Sequence, residues 1–247
     1  MIKYIFLGIV QGLTEFLPVS SSGHLVIVQK ILGIHANEIA ISVILHLGTL
    51  LAVIIFFRKD ILSLLRNPRL LGLAAIVVII TGSIGVLGKH FFEGLFSSAK
   101  AVGVAWIFTG LVLISTKKLI QLGRDKLKLK DALILGLTQG LAIIPGISRS
   151  GITISTLFYR KVERKFAFTF SFLISIPIIL GAALLEARKI ESAFQSDIIN
   201  LIAGFIFSFI TGLLALVILR QVINKGKFYY FGYYCLFMAV VTLLFIK

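Results

Sequence analysis

Apolar residues gather into six long runs, at 41–57, 70–88, 101–116, 166–185, 198–219 and 228–246, none of which contains Asp, Glu, Lys or Arg. A helix needs about 20 apolar residues to cross a bilayer, with about 17 near the lower limit. The pattern therefore predicts six membrane-crossing helices. As buried helices of a soluble protein, these runs would leave too little polar sequence to cover them.

Two further apolar stretches are built differently. Residues 4–17 carry Gln11 and Glu15 and run into Pro18-Val19-Ser20-Ser21-Ser22-Gly23-His24, after which Leu25-Val26-Ile27-Val28 resumes the apolar pattern. A helix over 4–17 reaches only about 21 Å, against a hydrocarbon core of about 30 Å. Proline disfavours helix at the residue before it, and serines favour helix starts, so the segment predicts a half-helix, a polar turn and a second half-helix. Residues 132–144, followed by Pro145-Gly146-Ile147-Ser148-Arg149-Ser150-Gly151, repeat the design. Irregular polar backbone at membrane depth is tolerated only inside protein or along a wet cavity. Both segments, 4–28 and 132–158, are therefore read as re-entrant hairpins.

The two hairpins are copies. Shifted by 128, Leu7–Gly23 aligns with Leu135–Gly151 without a gap, and Leu7, Gly8, Gln11, Gly12, Leu13, Ser20, Ser22 and Gly23 meet identical residues. Thr81-Gly82 and Thr211-Gly212 give a weaker echo. Each half, 1–118 and 128–247, is expected to hold one hairpin and three spans. Three is odd, so the second half enters from the opposite side. The expected fold is one all-α polytopic membrane domain over 1–247, an inverted-topology repeat whose two turns meet near the midplane.

Composition agrees and adds orientation. Apolar residues make up 58% and charged residues 14%, against about 45–50% and 25% in soluble domains. The net charge of +15 would suggest nucleic acid in a soluble protein, but its distribution points elsewhere. Loops 58–69, 117–130, 159–166 and 220–227 hold 17 of the 25 Lys and Arg residues, the opposite side holds seven, and the last is Arg149. The positive-inside rule makes the richer side cytoplasmic and places both termini outside. No nucleic-acid partner is expected. The first apolar stretch, interrupted by Gln11, Glu15 and Pro18, does not read as a signal peptide. A lone cysteine, Cys235, excludes an internal disulfide and a multi-cysteine metal site.

The candidate chemistry lies in the turns. Glu15 and Arg149 are ionisable groups in apolar surroundings, and such residues are functional candidates by default. A purely structural Glu–Arg pair between the repeats is the plainer alternative. Gln11 lies one turn before Glu15, and Gln139 is its counterpart; both either line a cavity or bond the opposite hairpin. Ser20, Ser21, Ser22, Ser148 and Ser150 sit where half-helices begin. Capping is the ordinary role of any one of them. Two helix starts facing each other suit a phosphate, and Arg149 adds a planar fork of donors. Thr153, one turn after Arg149, could add a hydroxyl. His24 follows Ser21 by three residues, where an imidazole could accept a proton or attack. His46, inside the first span, reads as a satisfied structural histidine.

The motifs Gln11-Gly-Leu-Thr-Glu15-Phe-Leu-Pro18-Val-Ser-Ser21-Ser-Gly-His24 and Pro145-Gly-Ile-Ser148-Arg149-Ser150-Gly-Ile-Thr153 together resemble the bacterial undecaprenyl-diphosphate phosphatases of the bacitracin-resistance type. The likeness extends over the whole chain in length, hairpin position and repeat order. It implies an inner-membrane hydrolase that converts undecaprenyl diphosphate to undecaprenyl phosphate plus phosphate on the outer face. Such an enzyme recycles the carrier for peptidoglycan synthesis and confers bacitracin resistance. The resemblance also implies a divalent cation (Mg²⁺ or Ca²⁺), with Glu15 as a candidate ligand and Gln11 nearby. Some members carry a second acid where this chain has Gln11, and a single carboxylate makes a weak site unless phosphate oxygens complete it. Glu15 either binds the metal or orients His24. A second lipid-phosphatase superfamily shares fragments such as Ser22-Gly23-His24, but it needs a histidine after the arginine, and none follows Arg149.

These readings assign His24, Ser21, Glu15 and Arg149 to catalysis, and Arg149, Ser148, Ser150, Thr153 and Ser22 to the phosphates. Ser21 attacks with His24 as base, or His24 activates water or attacks directly. The expected partners are a polyprenyl diphosphate lipid and the bilayer, with a homodimer as a candidate assembly. The rival reading is an anion or lipid-phosphate transporter, since carriers also use inverted repeats with broken helices.

Overall fold

The computed structural model describes residues 1–34, 38–96, 98–119 and 123–246, the side chains of 188–196 apart. Among them the chain is all-α, with no sheet beyond an isolated bridge between Arg124 and Val162. The first half runs α1 (Ile2–Phe16), α2 (Ser21–Ile31), α3 (Glu38–Phe56), α4 (Arg58–Leu65), α5 (Pro68–Leu87), α6 (Lys89–Phe96) and α7 (Ala99–Ser115). The second runs α8 (Leu129–Leu141), α9 (Arg149–Tyr159), α10 (Arg164–Leu173), α11 (Ser175–Leu185), α12 (Ala187–Asn224) and α13 (Tyr230–Phe245).

Among the described residues, Glu38–Phe56, Pro68–Leu87, Ala99–Lys118, Arg164–Leu185 and Asp197–Asn224 are long and apolar enough to cross a bilayer. The chain is a multi-pass membrane protein. Each of these five stretches falls on one of the apolar runs. The sixth run holds α13, whose 16 residues reach about 24 Å. The fourth is broken at Ile174, because Pro177 cannot donate to the carbonyl one turn back.

Each hairpin is pinned at its base and at its tip. Lys3 Nζ donates to the Leu32 carbonyl at 2.7 Å, tying the two ends of the first hairpin. At the base of the second, Asp131 accepts from Arg124 Nη1 at 2.7 Å, the Lys128 amide at 2.8 Å and Arg160 Nε at 2.8 Å. Burial alone would raise the Asp131 carboxyl, but these donors hold it at about 2. The tips hang on α7. Trp106 Nε1 donates to the Val19 carbonyl at 2.8 Å, and Thr109 Oγ1 donates to the Gly146 carbonyl at 2.9 Å while accepting from the Ser148 amide at 3.2 Å. Spaced three apart, these two residues share one helix face and hold one turn each.

The long arms pack crosswise between the halves. α1 lies along α12, and α8 lies along α5. A methyl group on Gly8 or Gly12 would collide with Gly204, Ser208 or Thr211 of α12, so the small residues permit the close approach. Thr211 Oγ1 donates to the Phe207 carbonyl at 2.7 Å and lies 3.5 Å from the Gly8 carbonyl oxygen, while Thr81 Oγ1 donates to the Gly136 carbonyl at 3.1 Å. Gly8 and Gly136 are counterparts under the 128-residue shift, and a threonine from the other half approaches each.

Candidate active site where two turns meet

Pro18 ends α1 by forcing Leu17 out of helical geometry (ψ 141°). Ser20 then adopts φ +67°, unusual for a residue with a side chain. Its bonds offset the strain. Ser20 Oγ accepts from the Gly23 amide at 3.3 Å, which caps α2, and from the Gly146 amide of the other turn at 3.1 Å. Ser148, its counterpart, caps α9 by accepting from the Gly151 amide at 3.1 Å. Gly146 itself sits at φ +98°, where an added Cβ would lie 2.5 Å from the Val102 carbonyl oxygen. The two turns thus touch through the Ser20 side chain and the Gly146 backbone, and the starts of α2 and α9 come together.

Glu15, on the last turn of α1, is the hub. Arg149 Nη2 donates to its Oε1 at 2.5 Å. Its Oε2 accepts from Ser21 Oγ at 2.5 Å and from Gln11 Nε2 at 3.1 Å, and lies 3.3 Å from His46 Nε2. Glu15 and Ser21 are more than nine-tenths buried, and Gln11 is wholly so. His46 Nδ1 lies 2.7 Å from the Ser42 carbonyl. Both of its nitrogens face acceptors, the Ser42 carbonyl and Glu15 Oε2. Two groups in this cluster have an idle end. Among the described residues, Arg149 Nη1 and Gln11 Oε1 are buried without hydrogen-bond partners. The first can receive an anion and the second a donor or a hard cation.

His24 lies apart from this hub. Its Nδ1 is 2.7 Å from the Ser20 carbonyl, and its Nε2 is 2.8 Å from the Tyr234 hydroxyl. Trp106 packs edge-on against the ring, with centroids 5.1 Å apart.

Glu15 bonds Ser21 and Arg149, and among the described residues no bond joins it to His24. Ser21 donates to Glu15, so the hydrogen-bond acceptor of this hydroxyl is the carboxylate. Ser148 Oγ is engaged by the cap and lies 3.3 Å from Ser150 Oγ, and Ser22 Oγ lies 3.3 Å from Ser20 Oγ. Thr153 Oγ1 turns to the Arg149 carbonyl at 2.8 Å and to Ser171 Oγ at 2.5 Å, and so braces the arginine's backbone. Gln139 stays outside the cluster, donating to Thr81 Oγ1 at 3.1 Å.

His46, expected as a structural histidine, lies 3.3 Å from Glu15 Oε2. Its signal was present: an ionisable side chain inside a span is a functional candidate by the same rule that selected Glu15. Tyr234 had no comparable signal among its neighbours Tyr229, Tyr230 and Tyr233.

Comparison with known proteins meets this geometry. The family described as "Bacitracin resistance protein BacA" matches residues 4–241. A protein named undecaprenyl-diphosphatase from Halothermothrix orenii is 42% identical over 250 aligned residues, covering 98% of this chain and 96% of the relative. Proteins of the same name from Carboxydothermus hydrogenoformans and Thermotoga maritima are 41% and 39% identical. They cover 97% of this chain in each case, and 95% and 98% of the respective relatives. Glu15, Ser21, His24 and Arg149 all lie within the matched range, and the chain belongs to the bacitracin resistance protein BacA family.

Proposed function

We propose that this chain hydrolyses undecaprenyl diphosphate to undecaprenyl phosphate and phosphate at the cluster of Glu15, Ser21, His24 and Arg149. The observation that carries the reading is the 2.5 Å bond from Ser21 Oγ to Glu15 Oε2, a nucleophile seated on a base. The relatives' shared name supports the substrate.

In the resting protein Arg149 spends Nη2 on Glu15 and keeps Nη1 idle. The terminal phosphoryl group draws the guanidinium onto its oxygens, assisted by the free amides at the starts of α2 and α9. Glu15, released by Arg149, takes the Ser21 proton. Ser21 Oγ attacks the terminal phosphorus, the bond to the bridging oxygen breaks, and the lipid phosphate leaves with that oxygen. Arg149 stabilises the charge on the equatorial oxygens as it develops. Water then attacks the phosphoserine and gives its proton to His24 Nε2, while Glu15 returns its proton to Ser21 Oγ.

A divalent cation belongs to this reading. Glu15 and the unpartnered Gln11 Oε1 are the oxygen donors that would hold it beside the diphosphate, where it would neutralise phosphate charge.

We also read the chain as an inverted repeat, supported by the crossed packing and the exchanged Thr81 and Thr211 contacts. The charge distribution supports termini on the outer side. The likeness to the family supports a site open to that side. A carrier could share the repeat, but it has no use for a serine hydrogen-bonded to a carboxylate. Phosphate release from undecaprenyl diphosphate by protein in detergent separates the two, since no compartments remain. The wild type should release phosphate and Ser21→Ala should not; a wild type without release would overturn the proposal.

A further inference from the structure

We propose that Tyr234 is the positioning residue of His24. The proposal rests on the reading above, in which His24 Nε2 accepts the proton of the attacking water. Nδ1 lies 2.7 Å from the Ser20 carbonyl oxygen, which can only accept, so Nδ1 carries the hydrogen. That leaves a lone pair on Nε2, and the Tyr234 hydroxyl donates to it across 2.8 Å. The two rings are within 8° of parallel, with centroids 5.7 Å apart. Trp106 closes the other flank, but its Nε1 is committed to Val19, so it contributes shape alone.

Tyr234 comes from α13, 210 residues away, and is 40% exposed. Its hydroxyl therefore has room to rotate. A phenol both donates and accepts, so it can follow His24 through the cycle. It donates to the bare Nε2, passes that hydrogen on as its own oxygen takes the water's proton, and then accepts from Nε2–H. Stacking alone would hold the ring in place, but it would leave the Nε2 lone pair without a donor.

The test uses the full chain in detergent with ¹⁵N-labelled histidine, and His24→Gln to assign the His24 signals. In the wild type, the His24 resonances should report the proton on Nδ1 and a hydrogen-bonded bare Nε2. Tyr234→Phe keeps the ring. It should move the Nε2 resonance toward that of an unbonded nitrogen. It should also lower kcat for phosphate release about 10- to 100-fold, the usual cost of losing an outer partner of a working imidazole. KM should stay within about twofold. An unchanged His24 resonance or an unchanged kcat in Tyr234→Phe overturns the proposal. So does a wild-type spectrum with the proton on Nε2, which needs no variant. Absence of phosphate release from the wild type would instead sink the phosphatase reading and leave the ¹⁵N result to be judged alone.

Discussion

Arg149 Nη2 donates to Glu15 Oε1 at 2.5 Å, joining two residues 134 positions apart and linking the tips of the two hairpins. The bond pairs a buried carboxylate with a largely buried guanidinium, so that neither charge is left alone.

Arg149→Lys should preserve the charge and lose the fork. Phosphate release should fall about 10²- to 10³-fold, the cost of removing a donor aimed at developing oxyanion charge. Arg149→Ala should also lower the melting temperature, since breaking a buried pair from one side costs about 3–5 kcal/mol. A Lys variant with the wild-type rate would remove the guanidinium from the chemistry.

His46 should matter as a donor to Glu15. His46→Ala should reduce kcat about tenfold, equivalent to a charged hydrogen bond of about 1.5 kcal/mol. His46→Gln, which can still present an N–H, should recover most of the loss. If both variants matched the wild type, His46 would be a bystander.

The contrast between these residues shows how far the sequence could be read. The hairpins were legible because Pro18, Pro145 and the serines interrupt apolar runs that are too short to cross. Glu15 and Arg149 stood out because nothing apolar explains a charge there. His46 read as structural, since its partner lies 31 residues away and only the packing of α3 against α1 decides which way it faces. Tyr234 was hidden among four tyrosines at one end of α13, a pattern that interfacial anchoring explains equally well. That Ser21 bonds Glu15 rather than His24 was equally out of reach. Spacing places both near Ser21, but the side-chain direction that selects one is tertiary.

Gly146→Ala should destabilise more than Gly33→Ala. Both glycines have positive φ, +98° and +61°, so each variant carries backbone strain of about 1–3 kcal/mol. At Gly33 a methyl meets nothing within 4 Å, whereas at Gly146 it meets the Val102 carbonyl at 2.5 Å. Melting in detergent should rank them wild type, Gly33→Ala, Gly146→Ala. The reverse order would mean that the turn is not pressed against α7 as described.

Asp131 should give a pH signature outside the site. Its carboxyl is lowered from an ordinary 3.8 to about 2, so its contribution to stability is complete above the unfolded value and is lost as pH falls through the folded one. Asp131→Asn should therefore melt below the wild type at pH 7, with the gap narrowing below about pH 4 and closing near pH 2. A gap independent of pH would show that the Arg124 and Arg160 bonds do not depend on the charge.

In the proposed reaction Ser21, activated by Glu15, carries the phosphoryl group. Acid quenching during turnover of undecaprenyl diphosphate, followed by mass spectrometry of the peptide containing Ser21, tests it most directly. His24→Ala, which slows the water step, should accumulate a phosphoryl group on Ser21, and Glu15→Gln should show none. Continued phosphate release by Ser21→Ala, with no phosphorylated peptide in any variant, would contradict the account.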